Sequence, residues 1–312
     1  MDKLLFALLK TARPRQWLKN VAVITTILFT GQLFNGKAFT ATIWAFIAFC
    51  LLSSSSYYFN DILDINRDKK HPFKKFRPVA SGLVPVSLAW VIAVLLFSFG
   101  MAISYTLGKS FFVLAIFFMF LQYGYSMVLK HRSIIDILAI TAAYFLRVYA
   151  GEAATGYHIS IWLALAALSL ALFLAIGKRR AELTLVQGYS GVLPKDTRET
   201  LSRYSEKLLD AFTAMFSTST FITYAFYTFL EKPLNRGFFF SGYNEFASEL
   251  PDRKWMMATI PFVLFGIMRY MQLIYEGKGE SPEKILTSDP PLLATVILWG
   301  VSVFLIIYGI GG

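Results

Sequence analysis

Apolar residues run along this chain in long, nearly unbroken stretches separated by short polar segments. Nine stretches can be placed, near 18 to 35, 38 to 59, 84 to 106, 110 to 129, 134 to 152, 160 to 177, 208 to 230, 255 to 275 and 291 to 311. Each approaches the roughly 20 residues that an α-helix needs to cross a bilayer, so the pattern predicts an all-α, polytopic membrane protein with about nine transmembrane helices. The first stretch is the weakest, because Trp17, Lys19 and Asn20 leave only Val21 to Phe34 for the hydrocarbon. Ahead of it, DKLLFALLK alternates charged and apolar faces, which predicts an interfacial amphipathic segment over 1–15. Residues 1 to 10 have neither a long apolar core nor a small-residue cleavage site, so no cleavable signal peptide is expected. With no linker, low-complexity tract or short repeat, 1–312 reads as a single domain.

Composition strengthens the membrane reading: 56% of the 312 residues are hydrophobic and 16% charged, against about a quarter charged in soluble domains. Of the 30 Lys and Arg residues, 23 fall on the side of the nine-span layout that holds the amino terminus. That asymmetry predicts a cytoplasmic N-terminus and a carboxyl terminus on the opposite side. Two long cytoplasmic loops, 60–83 and 178–207, carry much of this charge and are the expected place for chemistry. Attraction to anionic headgroups explains a basic face and requires no nucleic acid. It does not explain acids on the same face. The single cysteine, Cys50, lies mid-span, and His71, His131 and His158 show no metal-ligand spacing. Ser53 to Ser56 read as small residues for close helix packing.

The acids concentrate in NDILDINRD, residues 60 to 68. Asp61, Asp64 and Asp68 are three and four residues apart, so on a helix they share one face. Like charges at that spacing repel unless a cation sits among them. Hard oxygen ligands, with Asn60 adding an amide oxygen, suit Mg²⁺ carrying a substrate diphosphate. The basic run that follows, KKHPFKKFRPVASG at 69 to 82, brings Lys74, Lys75 and Arg77 near Asp68.

NDILDINRDKKHPFKKFRPVASG resembles the first signature of the UbiA superfamily of intramembrane prenyltransferases, and YSMVLKHRSIID at 125 to 136 resembles that superfamily's segment leading into helix 5. The resemblance implies a UbiA-like bundle with Mg²⁺ on Asn60, Asp61, Asp64 and Asp68. Where prenyl-transferring members carry a second Asp-rich motif after helix 6, this chain has GKRRAEL, residues 177 to 183. The acidic substitute for that motif is Glu206 with Asp210, some 25 residues later at the start of the next apolar stretch. With RPRQWLKN at 13 to 20 and RYMQLIYEGKGESPEKILTSDPPL at 269 to 292, that departure resembles the polyprenyl-phosphate phosphoribosyltransferase branch. This branch implies transfer of 5-phosphoribose from 5-phosphoribosyl diphosphate (PRPP) to a decaprenyl-like phosphate at the inner membrane, with the site facing the cytoplasm. The product would feed synthesis of cell-envelope sugar donors.

The charge inventory suits such chemistry, since two anionic substrates need a metal and several cations. Asp61, Asp64, Asp68, Lys130 and Asp136 are the expected catalytic residues. Lys130, Lys178 and Arg179 are expected to position phosphate, supported by Arg13, Lys19, Lys74 and Arg77. Tyr125 is a candidate ribose or phosphate contact. On helix 5, Arg147 and Glu152 join Asp136 because ionisable groups inside a bundle are costly to bury and default to functional candidates. The alternatives are a prenyltransferase acting on an aromatic acceptor, disfavoured by the missing second motif, and a transporter, for which paired broken helices are lacking. Partners are the two substrates and the bilayer, and the sequence allows a homo-oligomer.

Overall fold

The computed structural model describes residues 2–70, 74–187, 199–231, 254–278 and 281–310, and every regular element among them is helical. Seven helices are long and apolar enough to cross a membrane: Gly36–Leu63, Val86–Thr106, Lys109–Met127, Ile135–Thr155, Ile161–Thr184, Trp255–Tyr275 and Pro290–Gly309. They coincide with seven of the nine expected spans. The expected span at 208 to 230 is a 25-residue helix, Glu206–Leu230, long enough to cross but less apolar. Its Thr213, Ser217, Thr218 and Thr220 hydroxyls each donate to a carbonyl within the same helix. The first expected span, 18 to 35, is not one helix. It is a 3-10 helix, Pro14–Ile24, followed by the short Thr25–Phe29. Apolarity alone does not reveal that change, and buried Asn20 sits in its middle, bonded to neighbouring elements rather than to lipid.

We number the α-helices α1 (Asp2–Ala12), α2 (Thr25–Phe29), α3 (Gly36–Leu63), α4 (Ile65–Lys70), α5 (Val86–Thr106), α6 (Lys109–Met127), α7 (Ile135–Thr155), α8 (Ile161–Gln187), α9 (Glu206–Leu230), α10 (Ile260–Tyr275), α11 (Pro282–Ser288) and α12 (Pro290–Phe304). Both expected catalytic loops begin as helix. α3 continues through Asp61 to Leu63, and α8 continues past Lys178 to Gln187 because no Gly or Pro interrupts a run rich in Arg, Ala, Glu and Leu. His71 and residues 188–198 lie outside the described residues.

The chain divides into two compact units. The first comprises 1–25, 37–156 and 191–204. Its centre is α3, whose Phe49 ring packs 4.7 Å from Phe118 and 5.8 Å from Phe111, both on α6. α5 comes close to α3 at Gly100, where a Cβ would stand 2.8 Å from Leu52. Ser53 to Ser56 are all buried and each bonds a different neighbour. Ser53 faces Asn20, Ser54 accepts from Trp17 and donates to the Ala12 carbonyl, Ser55 donates to the Ala93 carbonyl, and Ser56 accepts from Gln122. The packing role expected of this run therefore includes hydroxyl ties to several segments. α1 exposes Leu4, Leu5, Phe6 and Leu9 while burying Ala7 and Thr11, and the Tyr58 hydroxyl donates to the Leu8 carbonyl at 2.7 Å.

The second unit comprises 26–36, 157–190 and 205–312. α8 and α10 approach closely at Gly177, where a Cβ would meet Ile274 at 2.8 Å and Tyr270 at 2.9 Å. The Tyr308 hydroxyl donates to the Ile27 carbonyl at 2.8 Å, fastening α2 into this unit. Asp289 caps α12 by accepting from the Leu292 N–H at 2.9 Å and holds Arg269 at 2.7 Å. That pairing gives a physical reason for the two ends of the segment 269 to 292, which sequence likeness alone had singled out.

Candidate active site

The last turn of α3 delivers Asn60 and Asp61, a single turn residue carries Asp64, and α4 carries Asp68. The stripe is thus helical with a break at its middle acid. Each carboxylate meets a cation from elsewhere in the first unit. Asp61, 2% exposed, accepts from Arg13, just after α1, and from Arg77 at 3.1 Å. The same Arg77 Nη1 donates to Asp68 at 2.7 Å, so one guanidinium joins the first and last acids. Both Asp64 oxygens lie 2.7 Å from Lys130 Nζ, which also reaches Asn60 Oδ1 at 3.4 Å. Burial holds the Asp68 carboxyl above its ordinary range, with Arg77 opposing that rise and Asp61 adding to it. Arg13 lies over the Tyr57 ring at 5.0 Å and takes a left-handed backbone, φ +55°.

Among the described residues, no three His, Cys, Asp or Glu side chains are grouped as they would be around a metal ion. Each stripe carboxylate is turned to a basic side chain, with Arg77 shared by Asp61 and Asp68. The donor chemistry nonetheless fits a hard divalent cation. Asn60 and Asp64 already converge three oxygens on the Lys130 ammonium, and Arg77 spans Asp61 and Asp68. A metal ion entering here would take over carboxylates now held by side-chain cations.

Comparison with known proteins gives the frame for this cluster. The UbiA prenyltransferase family profile matches residues 21–181. The chain belongs to the UbiA prenyltransferase family. It is 30% identical over 305 residues to decaprenyl-phosphate phosphoribosyltransferase of Corynebacterium glutamicum, covering 96% of this chain and 86% of that protein. It is 31% identical over 301 residues to the enzyme of the same name from Mycolicibacterium smegmatis, covering 95% and 91%. In fold it is similar to a UbiA homolog from Archaeoglobus fulgidus bound to GPP and Mg²⁺, with a TM-score of 0.71 at 19% identity over 96% of this chain and 99% of that one.

Within this UbiA-family chain, the remaining expected residues of the first unit occupy different settings. Asp136, in the first turn of α7, is fully buried and accepts from the Tyr204 hydroxyl at 2.6 Å. Arg147, further along α7, is also buried. Its guanidinium donates to Asn20 at 2.7 Å and to the Ala143 carbonyl, reaches Ser53 at 3.4 Å, and lies over the Phe118 ring at 4.7 Å. This network ties α3, α6, α7 and the Pro14–Ile24 segment together. Glu152 lies in the last turn of α7, 16 residues after Asp136, so about 24 Å along the axis separates them. Lys19 lies over the Tyr144 ring at 5.6 Å, Tyr125 is half-buried near the end of α6, and Lys74 opens the 3-10 turn that leads to Arg77.

Lys178 and Arg179 belong to α8 in the second unit. Arg179 is 0% exposed and pairs with Glu182 at 2.7 Å. Next to it, Arg180 donates to Asp210 at 2.7 Å and to Thr184 at 2.7 Å, comes within 3.5 Å of Glu206, and lies over the Tyr275 ring at 4.8 Å. Tyr275 donates to the same Asp210 oxygen at 2.8 Å. Glu206 and Asp210, the acids that would stand in for the second motif, are therefore engaged by Arg180 and Tyr275.

Tyr204 and Asn20 were not among the residues expected from sequence. Tyr204 is 68 residues from Asp136, and its spacing carries no signal. Asn20 did have one: a carboxamide in an apolar stretch needs a buried partner.

Proposed function

We propose that this protein is a polyprenyl-phosphate phosphoribosyltransferase of the inner membrane, working from the cytoplasmic side. It transfers 5-phosphoribose from PRPP to a decaprenyl-like phosphate and releases diphosphate. The observation that carries the reading is the cluster in which three carboxylates, Asp61, Asp64 and Asp68, are interleaved with three cations, Arg13, Arg77 and Lys130. It combines oxygen donors for a metal with cations for phosphate. The relatives over most of the chain and the closed Arg180 cluster favour a sugar diphosphate over a prenyl diphosphate as donor.

In this reading Asn60, Asp61, Asp64 and Asp68 hold Mg²⁺, which when bound neutralises charge building on the diphosphate leaving group. Lys130 and Arg77 turn to substrate phosphate oxygens, and Arg13 completes the positive rim, Arg by forked contacts and Lys as a point charge. Lys19, Lys74 and Tyr125 support substrate placement. Arg147 serves the fold, held by its own network, and Glu152 contributes at the far end of α7. The anomeric C–O bond to diphosphate breaks as a lipid phosphate oxygen forms the new bond from the opposite face, inverting that carbon. A phosphate monoester is ionised near neutral pH, so no general base is needed.

Purified protein in detergent, given Mg²⁺, polyprenyl phosphate and PRPP labelled in the ribose, should place label in the lipid fraction, with none when Mg²⁺ is chelated. Transfer of a prenyl chain to an aromatic acid, with no pentose in lipid, would assign the alternative activity.

A further inference from the structure

Lys130 depends on a turn whose backbone is costly. Between the 3-10 helix Leu129–His131 and α7, Ile134 adopts φ +69°. A β-branched residue there is a conformational outlier, and such a conformation persists only where its surroundings hold it. Tyr204, 5% exposed, supplies that hold. Its hydroxyl accepts the Ile134 N–H at 2.6 Å and donates to the buried Asp136 carboxylate at 2.6 Å. Four residues before it, the Thr200 hydroxyl lies 3.5 Å from the Lys130 carbonyl. One short segment, Glu199–Arg203 with Tyr204, thus grips the turn at both ends.

We propose that Tyr204 is a positioning residue: its hydroxyl fixes the 129–134 turn so that the Lys130 ammonium meets Asp64 and then a phosphate of the donor. The proposal rests on Lys130 as a phosphate ligand. An ammonium on a four-carbon stem has much rotamer freedom, so its aim depends on where its backbone is held. Tyr204→Phe removes the two hydrogen bonds and keeps the ring.

The test is calorimetric titration of the full-length protein in detergent with inorganic diphosphate and Mg²⁺, comparing wild type, Tyr204→Phe, Lys130→Gln and the double variant, with thermal melting alongside. The expected result is about a tenfold loss of diphosphate affinity in Tyr204→Phe and a double variant no weaker than Lys130→Gln alone, because the hydroxyl acts through Lys130. Asp136→Ala should reproduce the Tyr204→Phe loss without adding to it, providing the same test should Tyr204→Phe fail to fold. Affinity within twofold of wild type in the single variant, losses that multiply in the double, or a wild type that binds no diphosphate overturns the proposal. A wild type that binds diphosphate but transfers no labelled pentose removes the proposed activity, while the variant cycle still decides the role of Tyr204.

Discussion

Both units contain acids next to arginines, but the two arrangements differ in kind. In the first, buried Asp61 and Asp68 and half-buried Asp64 are met by Arg13, Arg77 and Lys130, which arrive from three separate segments. In the second, the more open Glu206 and Asp210 gather around one arginine, Arg180, which is itself anchored by Thr184 and stacked on Tyr275. Cations drawn from many segments can be redirected one at a time. An arginine wedged between a threonine, a ring and two acids is a fastening. Clusters built of the same kinds of charge can therefore suit exchange in one place and cohesion in another.

The largest test of that contrast is Asp61→Asn, which keeps shape and removes charge. Pentose transfer should fall by at least about 10²-fold, since a charge-stabilising interaction of several kcal/mol is lost at about 1.4 kcal/mol per tenfold. Near-normal turnover in the labelled-PRPP assay would take the first cluster out of the chemistry. Lys130→Gln should weaken Mg²⁺-dependent diphosphate binding by about 10- to 100-fold, the worth of a charged hydrogen bond, in the same titration. Affinity for Mn²⁺ alone should hold or rise, because Asp64 is released.

Asp210→Asn should leave turnover within about threefold and lower thermal stability by about 1 kcal/mol, as for a partly exposed ion pair. Loss of Mn²⁺ binding in that variant would erase the distinction between the two clusters. Smallest is the effect of Asp289, whose carboxyl is held below its ordinary range chiefly by the Arg269 guanidinium. A depressed carboxyl stabilises the fold above the ordinary range, near pH 4, and that contribution is lost as pH falls through it. Wild-type melting should therefore drop more steeply than that of Asp289→Ala below about pH 5. At neutral pH the variant should lose about 1 kcal/mol through the missing α12 cap.

Seven membrane-crossing helices were legible because continuous apolarity is a local property. So was the stripe, since Asp61, Asp64 and Asp68 are adjacent turns of chain. The segment 18 to 35 differs from the expected single helix because apolar content does not distinguish one long helix from a 3-10 helix followed by a short α-helix. Glu152 and Asp136 share a helix but not an end, and the cost of burying ionisable groups, which singles out both, carries no information on the axial distance between them. Tyr204 with Asp136, and Asn20 with Arg147, pair residues 68 and 127 positions apart, and no local pattern announces such contacts.

The three carboxylates and three cations of the first cluster leave its mouth close to electroneutral at rest. A bare polyphosphate would have to pull cations away from carboxylates and leave these exposed to one another. One that arrives already complexed with a divalent ion trades charge for charge. Under the proposed function the resting pairs would act as an ion exchanger, and an order of arrival would follow: donor and metal together, with excess uncomplexed donor competing poorly for the site.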